Sequence, residues 1–392
     1  MKKLYEIVFK KEYPLIFAIQ IWLISIFTSL TGLFVASRLQ NKSFTNMFTR
    51  WDSLFYVDII KNGYISKLPI KDGKIFANRD AFFPGFPNVI RIFDTLLPGN
   101  HMAAGLLFNA IITLASFYIL YKTLLNLCDR SKAKLTLMLF AFFPGSYIFF
   151  WFYAEALTTF LIVCAFYFLS NKRILLSSIF VGLATFTRPN AAPLISMVPI
   201  YIIWTEIDKD FYKLNLLRTK KYLFVFLKSL TTLFISASGI LSFLLYLDRK
   251  TKISNSWLRI EREGWNESKQ PFYRTYKNMT QIFSSQFPYN NSLIIIYALL
   301  GILLILCGTV YVHKMKYNSI VVATFIPSLF VILLALSNNT AASSPRFFVL
   351  AAPIFISIPE TISNKYLKIA LIPLLVLMGM TSAFYTYKIN AA

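Results

Sequence analysis

Long apolar runs alternate with short polar segments along almost the whole chain. An apolar run of about 17–25 residues is long enough to cross the hydrocarbon core of a bilayer as a helix. The predicted membrane segments, a few of them shorter than this, are 14–36, 102–122, 135–152, 155–170, 174–187, 191–205, 223–247, 292–312, 319–337, 347–362 and 366–387. The pattern predicts an all-α polytopic membrane protein with about eleven transmembrane helices, in a range of ten to twelve.

The exact number of predicted transmembrane helices depends on the stretch 174–205. We interpret it as two short segments that break near Pro189, because proline disrupts a continuous helix. A single kinked helix there would reduce the count to ten and invert the topology of everything that follows. The first run, 14–36, is longer than the roughly 7–15 apolar residues of a signal peptide, so we interpret it as an anchor.

The composition agrees with a membrane protein. Of the 392 residues 57% are hydrophobic and only 15% are charged, with a mean hydropathy of +0.59, whereas about 25% of a soluble domain is charged. These values exclude a disordered chain, a disulfide scaffold and an ordinary cytosolic enzyme. Three separated cysteines and two histidines also exclude a thiolate metal site and a site with several histidine ligands.

The distribution of basic residues predicts the orientation. With a cytoplasmic N-terminus, most lysine and arginine residues of the short loops lie inside, and the short outer connections hold only Arg188 and Arg346. Two long outer loops, 37–101 and 248–291, carry most of the remaining basic residues that contribute to the net charge of +23. Basic, aromatic loops suit phosphate-bearing lipids and sugars, although a merely solvated lysine-rich surface is the alternative. We predict one domain over 1–392, with these two loops forming its active-site face.

Four stretches carry charged or helix-breaking residues beside apolar runs, and the predicted topology places all four on the outer side. The first, 50–64, predicts an amphipathic interfacial helix over 51–61 that begins at Asp52. A helix N-cap is the alternative role for Asp52. The second, 80–87, holds Asp80 and a Pro-Gly-Phe-Pro turn that forbids a regular helix; an interfacial aromatic belt explains that turn equally well.

The other two stretches supply a carboxylate and two guanidinium groups. Pro144 and Gly145 loosen the end of one apolar run, and Glu155 starts the next, where a carboxylate is favourable at any helix N-terminus. Arg188 and Arg346 each adjoin a proline at an outer helix end. They either extend to lipid headgroups or bind a substrate phosphate.

These motifs together resemble the GPI mannosyltransferase II (PIG-V) family. Trp51-Asp52, Gly63-Tyr64 and the 81–87 block Ala-Phe-Phe-Pro-Gly-Phe-Pro are the specific part of the likeness. Weaker matches at Tyr153-x-Glu155-Ala156, Arg188-x-Asn190 and Arg346 follow in the family's order. Alanine stands at 191, where the family pattern leads us to expect glycine, so the shape of that turn is open. The chain looks most like a prokaryotic member.

The resemblance implies a GT-C membrane glycosyltransferase with its site at the outer or luminal face. Such enzymes transfer a sugar, typically mannose from dolichyl-phosphate mannose or another polyprenyl-phosphate sugar, to a glycolipid or glycan acceptor with inversion. The family position of the presumed catalytic residue falls on Asp52. The substrate-binding candidates are Trp51, Asp80, Glu155, Arg188, Arg346, Arg50 and Tyr64.

The residue chemistry is compatible with that activity. A phosphate is already a stable leaving group, so one carboxylate acting as general base on the acceptor hydroxyl is enough. Cationic side chains would stabilise the charge that grows on the phosphate; we favour Arg188 and Arg346 over Arg50 and Arg79. No cofactor is expected. A divalent metal lacks support, because residues six apart, such as Asp52 and Asp58, do not share a helical face.

Two other functions are weighed against the transferase. A flippase for lipid-linked sugars would place ionisable residues in mid-membrane and show related halves, whereas here these residues cluster at one side. A structural subunit would not need Asp52 in its motif. We expect lipid partners but no nucleic acid, in a bacterial plasma membrane or, alternatively, the ER, where the five Asn-x-Ser/Thr sequons of the predicted outer side would be luminal.

Overall fold

The computed structural model describes residues 13–48, 50–71, 73–95, 99–207, 216–265, 289–337 and 344–387. Helix dominates these residues. In chain order the α-helices are α1 (Pro14–Leu39), α2 (Asp52–Asn62), α3 (Gly85–Asp94), α4 (His101–Leu127), α5 (Arg130–Ala141), α6 (Glu155–Ser170), α7 (Ile174–Thr187), α8 (Met197–Glu206), α9 (Leu216–Thr251), α10 (Ser256–Arg259), α11 (Tyr289–Lys314), α12 (Ser319–Ser337), α13 (Ser344–Phe348), α14 (Ser357–Thr361) and α15 (Asn364–Tyr387).

Shorter elements connect these helices. Single-turn or irregular helical segments lie at Phe44–Met47, Arg79–Ala81, Pro144–Phe150, Pro189–Ser196, Ile260–Gly264 and Val349–Ile356. Among the described residues, strands are limited to a two-residue antiparallel hairpin, in which β1 (Ile70–Lys71) pairs with β2 (Lys74–Ile75). The prediction of an all-α fold is therefore confirmed.

Several of the helices can cross a bilayer. Within the described ranges, six are long and apolar enough: α1, α4, α9, α11, α12 and α15. A seventh span results if α5 and the segment Pro144–Phe150 are counted together across their 72° bend, and α6 and α7 are shorter apolar helices. The chain is thus a multi-pass membrane protein, whereas the count of eleven helices stays a prediction.

Prolines explain why some predicted spans are not continuous helices. The run 135–152 breaks after α5, because Pro144 has no N–H to donate and holds Phe143 in an extended conformation (φ −59°, ψ 141°). The run 347–362 is interrupted as well: the 3-10 segment Val349–Ile356 contains Pro353, and Ala351 within it is non-helical (φ −85°, ψ 34°). The predicted break near Pro189 is confirmed, since α7 ends at Thr187 and Arg188 is extended.

Small polar residues allow the helices to pack closely. Helix α7 lies between α6 and α9, α4 packs on α6, and α1 packs on α15. The hydroxyl of Thr185 donates to the Ser236 carbonyl at 3.1 Å, across the contact of α7 with α9. Such interfaces are typical of membrane helices, which approach each other through small side chains. Their packing brings the start of α6 and the end of α7 to the same side of the bundle.

The two long loops predicted to lie outside contact each other where the structure describes them. The Trp257 indole donates to the Ala81 carbonyl at 3.0 Å, the Trp265 ring packs edge-on against Phe55 and Phe82, and a Glu263 carboxylate oxygen accepts from the Ile75 N–H at 2.9 Å. Residues 266–288 of the second loop lie outside the described residues. So do the basic residues at 2–11 and the sequon asparagines at 266, 278 and 338.

Candidate functional site

Asp52 begins α2 immediately after a tight turn. The Ser53 N–H donates to the Arg50 carbonyl at 3.2 Å, and Trp51 between them has φ 54° and ψ −120°. These angles match the first central position of a type II′ turn, which normally takes glycine. The Arg50 carbonyl also accepts from the hydroxyls of Ser53 (2.6 Å) and Tyr153 (3.0 Å). Three donors on one carbonyl oxygen therefore fix this turn and the direction of Asp52.

Asp52 is not the N-cap of its helix. Trp51 occupies that position, and no side chain caps the helix there. The Asp52 carboxylate instead turns into the protein, where its Oδ2 accepts a hydrogen bond from Arg346 Nη1 at 2.8 Å. The N-cap alternative is wrong for this reason: the side chain that would cap α2 is bound by an arginine 294 residues further along the chain.

Four predicted residues form one buried ion cluster. Arg188 Nη2 lies 3.5 Å from the same oxygen of Asp52, and Arg188 Nη1 lies 2.5 Å from Glu155 Oε2. Arg346 Nη1 is 3.6 Å from Glu155 Oε1. Two carboxylates therefore face two guanidinium groups, and the formal charges of the four side chains, which we call the Asp52 cluster, sum to zero.

The Asp52 side chain is the most accessible member of the cluster. Its side chain is 12% exposed, that of Glu155 is 0% exposed, and both arginines are at 8%. Among the described residues, no donor reaches the second oxygen of Asp52, whereas Glu155 is enclosed on all sides. Of the two carboxylates, only Asp52 has an oxygen that a reacting group can approach.

Aromatic rings surround the two guanidinium groups. The Arg346 guanidinium carbon lies 4.8 Å from the centre of the Phe347 ring and 5.4 Å from that of Tyr153, and the Arg188 carbon lies 5.4 Å from the Phe347 ring. Rings attract cations through their electron-rich faces. They also exclude water, which strengthens every charge interaction inside the cluster.

Sequence comparison decides the family. A model of the mannosyltransferase (PIG-V) family matches residues 22–253, more than half of the chain. The chain belongs to this family. The matched range contains Asp52, Glu155 and Arg188, whereas Arg346 lies beyond its end. None of the curated proteins compared with the chain matches it.

Solved structures show the fold of this PIG-V family member. The archaeal oligosaccharyltransferase AglB from Archaeoglobus fulgidus, in complex with an inhibitory peptide and a dolichol-phosphate, is similar with a TM-score of 0.51 at 12% identity, covering 97% of this chain and 56% of AglB. The Archaeoglobus fulgidus oligosaccharyltransferase with zinc and sulfate gives 0.50 at 12% identity, covering 94% and 53%. The chain thus spans little more than half of these proteins. ArnT from Cupriavidus metallidurans, bound to undecaprenyl phosphate, gives 0.47 at 9% identity, covering 94% and 74%. The shared architecture is the GT-C glycosyltransferase fold.

The other predicted site residues of this mannosyltransferase-family chain lie outside the Asp52 cluster. The carboxylate of Asp80 accepts from the Ile65 N–H at 2.9 Å, and the Tyr64 hydroxyl donates to the Phe82 carbonyl at 2.9 Å. Arg50 donates to Gln40 at 3.3 Å, and the Trp51 indole is exposed. Arg79 pairs with Asp58 at 2.6 Å, so Asp58 forms its ion pair outside the Asp52 cluster.

No metal-binding group emerges from the part of the chain that the structure describes. There, no three His, Cys, Asp or Glu side chains are grouped closely enough to hold an ion. The carboxylates of Asp52 and Glu155 are bridged by the two arginines and do not face each other across a cavity. The cluster itself contains two guanidinium groups, which can bind an anion, and the accessible carboxylate of Asp52, which can accept a proton.

Residues that the sequence pattern did not indicate support the cluster from behind. The Asn109 amide on α4 donates to the carbonyls of Trp151 (2.5 Å) and Tyr153 (2.9 Å), and so fixes the segment that leads into Glu155. Phe347, between the two arginines, was missed as well. Asn109 could have been noticed as a polar residue in the middle of the apolar run 102–122. Nothing in the local pattern distinguishes Phe347 from other buried aromatic residues.

Gly145 lets the chain around Arg346 reach the cluster. A Cβ atom at this position would lie 1.9 Å from the Pro345 carbonyl oxygen and 2.9 Å from the Arg346 nitrogen. We expect Gly145→Ala to displace Arg346 and to lower the free energy of unfolding by about 1–3 kcal/mol, as overpacking does. Thermal unfolding in detergent tests this expectation. Gly379→Ala is the control, because its Cβ would meet no atom closer than 3.6 Å; equal melting temperatures of the two variants would contradict the expectation.

Asp80 predicts a pH dependence of stability. Burial raises the pKa of Asp80 to about 6 from 3.8, although the hydrogen bond from Ile65 partly opposes that rise. Between these two values the folded chain keeps a proton that the unfolded chain has released, so this carboxyl makes stability fall as pH rises through that window. Asp80→Asn removes the effect. We expect the melting temperature of the variant, relative to that of the wild type, to be higher at pH 7 than at pH 4.5. The same difference at both pH values would contradict this expectation.

Proposed function

We propose that this PIG-V family member is a membrane glycosyltransferase that moves a sugar, mannose in the first place, from a polyprenyl-phosphate donor to a glycolipid or glycan acceptor. The observation that carries the proposal is the Asp52 carboxylate, with Oδ2 held by Arg346 and Arg188 and the other oxygen open. This arrangement combines a proton acceptor with adjacent fixed positive charge. Both are needed for displacement at a sugar carbon that bears a phosphate.

The reaction follows as a single inverting displacement. The acceptor hydroxyl oxygen bonds to the anomeric carbon while the bond from that carbon to the phosphate oxygen breaks, and the electron pair leaves with the polyprenyl phosphate. The hydroxyl proton passes to the open oxygen of Asp52, which acts as general base. One carboxylate is sufficient, because a direct displacement forms no glycosyl-enzyme intermediate.

Arg188 and Arg346 are proposed to stabilise the phosphate. A guanidinium has five N–H donors, and Arg188 directs only its two terminal nitrogens at Asp52 and Glu155; its Nε has no acceptor among the described residues. Arg188 therefore keeps a donor that the ion pairs do not use, although this atom is itself buried. Glu155 is proposed to hold Arg188 in place rather than to take part in proton transfer, because its oxygens are fully enclosed.

A lipid-linked donor and an outward-facing site are supported by separate observations. The AglB structure that shares the fold contains a dolichol-phosphate. The lysine and arginine distribution of the short loops favours an orientation with the N-terminus inside and the Asp52 cluster on the outer side. The proposed location is the bacterial plasma membrane, with the ER as the alternative. Labelling of a cysteine introduced at exposed Lys61 by a membrane-impermeant reagent, from outside intact cells, tests the orientation.

Sugar transfer itself is tested with a donor panel. The purified full-length chain is incubated with polyprenyl-phosphate mannose, glucose or galactose and a lipid extract, and transfer to the extract is measured. We expect transfer from the mannose donor above the other two. Absence of transfer from every donor, together with movement of lipid-linked sugar across vesicles that contain the chain, would support a transporter and overturn the proposal.

A further inference from the structure

A groove lies near the Asp52 cluster but is separate from it. The groove has a volume of about 350 Å³ and is lined, among others, by Tyr64, Asn88, Arg91, Phe186, Tyr246 and Lys250. Its walls are the loop after α2, helix α3 and the last turns of α9. None of the four cluster residues lines this groove, although Phe186 is only two positions before Arg188.

Two cations are held in fixed positions at the groove. The Arg91 guanidinium donates from Nε to the Ile60 carbonyl at 3.1 Å and from Nη2 to the Ile59 carbonyl, at the C-terminal end of α2. The Lys250 ammonium donates to the Tyr246 hydroxyl at 3.1 Å and lies 5.6 Å from the centre of that ring. All of these partners are neutral, so none of them balances the positive charge of Arg91 or of Lys250.

The carboxylates of this region already have other partners. Asp58 pairs with Arg79, Asp94 pairs with His101 at 2.9 Å, and Asp248 accepts from the backbone N–H groups of Asn255 and Ser256. Among the residues that the structure describes, no carboxylate lies within ion-pair distance of Arg91 or Lys250. The Asp80 carboxyl acts on Lys250 only through longer-range electrostatics, so the groove carries two positive charges without an ion-pair partner, which favour an anionic ligand.

Exposed apolar side chains of helices α7 and α9 border the groove. Leu183 on α7 and Leu241 and Leu245 on α9 are exposed, and they lie within a turn or so of the groove residues Phe186, Ser242 and Tyr246. In a bilayer these leucines would contact acyl chains. A ligand that satisfies both the cations and the leucines is amphipathic, with an anionic headgroup above an apolar tail.

We propose that the groove binds the phosphate-bearing headgroup of the lipid that presents the acceptor hydroxyl. The proposal rests on the transferase function proposed above. The donor phosphate already has two guanidinium groups beside Asp52, so a second cationic site next to Arg188 suits the other substrate. Phosphate oxygens bind Arg91 and Lys250 through charge-assisted hydrogen bonds, Tyr64 and Phe186 flank the headgroup, and a glycan on that headgroup extends towards Asp52.

Lipid binding is tested first. The full-length chain in detergent is titrated with phosphatidylglycerol or phosphatidylcholine, and bound lipid is counted by native mass spectrometry. We expect the wild type to prefer phosphatidylglycerol, and the double variant Arg91→Gln/Lys250→Gln to lose that preference by on the order of tenfold. Lys61→Gln/Lys67→Gln is the control, because it removes two exposed charges of the same loop that do not line the groove. Equal loss in both double variants would reduce the effect to bulk charge and overturn the proposal.

Competition and kinetics identify the source of the phosphate. Inorganic phosphate that displaced phosphatidylglycerol at equal concentration would show a site for the free ion rather than for a lipid, against the proposal. In the transfer assay, the groove variant should raise the KM for the acceptor lipid by about tenfold and leave the KM for the donor unchanged. A raised donor KM would assign the groove to the donor and overturn the proposal. Absence of transfer in the wild type would instead mark failure of the proposed function, and the lipid titration would still decide whether the groove prefers the anionic lipid.

Discussion

Replacing Asp52 with asparagine is expected to lower the rate of sugar transfer by roughly 10²–10⁴-fold, the usual contribution of a general base. Asparagine keeps the shape of the side chain, and its carbonyl oxygen can still accept the hydrogen bond from Arg346 Nη1, which now spans 2.8 Å. It cannot take the acceptor proton. The fold should therefore survive while the chemistry stops, and initial rates with a saturating polyprenyl-phosphate mannose donor measure the difference.

Asp58→Asn is the matched control for this substitution. Asp58 is on the same helix, carries the same side chain and also pairs with an arginine, but its partner is Arg79 and its side chain is 40% exposed. We expect transfer rates close to those of the wild type. Full activity of Asp52→Asn would exclude the general-base role, and equal losses in both variants would show that any disturbance of α2 stops transfer.

The second large effect is expected from Glu155→Gln. Glu155 is fully enclosed and lies 2.5 Å from Arg188, so this change leaves a buried guanidinium without its closest anion. Breaking a buried pair on one side costs about 3–5 kcal/mol, because the remaining charge stays desolvated. The melting temperature in detergent should fall markedly, and transfer should fall with it because Arg188 loses its position.

The double variant Glu155→Gln/Arg188→Gln separates stability from chemistry. It removes both charges, so much of the lost stability should return while transfer stays low, because one of the two proposed phosphate ligands is absent. Glu206→Gln is the control, since Glu206 pairs with Lys228 in a partly exposed position, where ion pairs contribute about 0–1 kcal/mol. A Glu155→Gln variant as stable as Glu206→Gln would show that Glu155 does not hold the cluster.

The sequence located the members of the cluster because charges are costly beside apolar runs. Glu155, Arg188 and Arg346 each stood out as a charge where an apolar run begins or ends, Asp52 stood out at the start of a predicted interfacial helix, and the structure brings these four together. Asp80 and Arg50 stood out in the same way, but they interact outside the cluster. Residue type and position along a run therefore identify candidates, but do not show which of the candidates meet in space.

Other features depended on contacts that no local pattern records. The pairing of Asp52 with Arg346 joins residues 294 positions apart. The positive φ of Trp51 could not be predicted, because bulky residues avoid that conformation. The bend after α5 was only partly foreseen: Pro144 and Gly145 indicated a loosened helix end, but the direction of the turn is set by packing against the segment that carries Arg346.

Proton transfer to Asp52 balances the charge that the proposed reaction creates on the phosphate. As the carbon–oxygen bond breaks, the phosphate gains one negative charge and Asp52 loses one by accepting the acceptor proton. The net charge inside the enclosed site is therefore the same before and after transfer, so the chemical step requires no ion from solvent. The proton on Asp52 must pass to solvent before the next turnover.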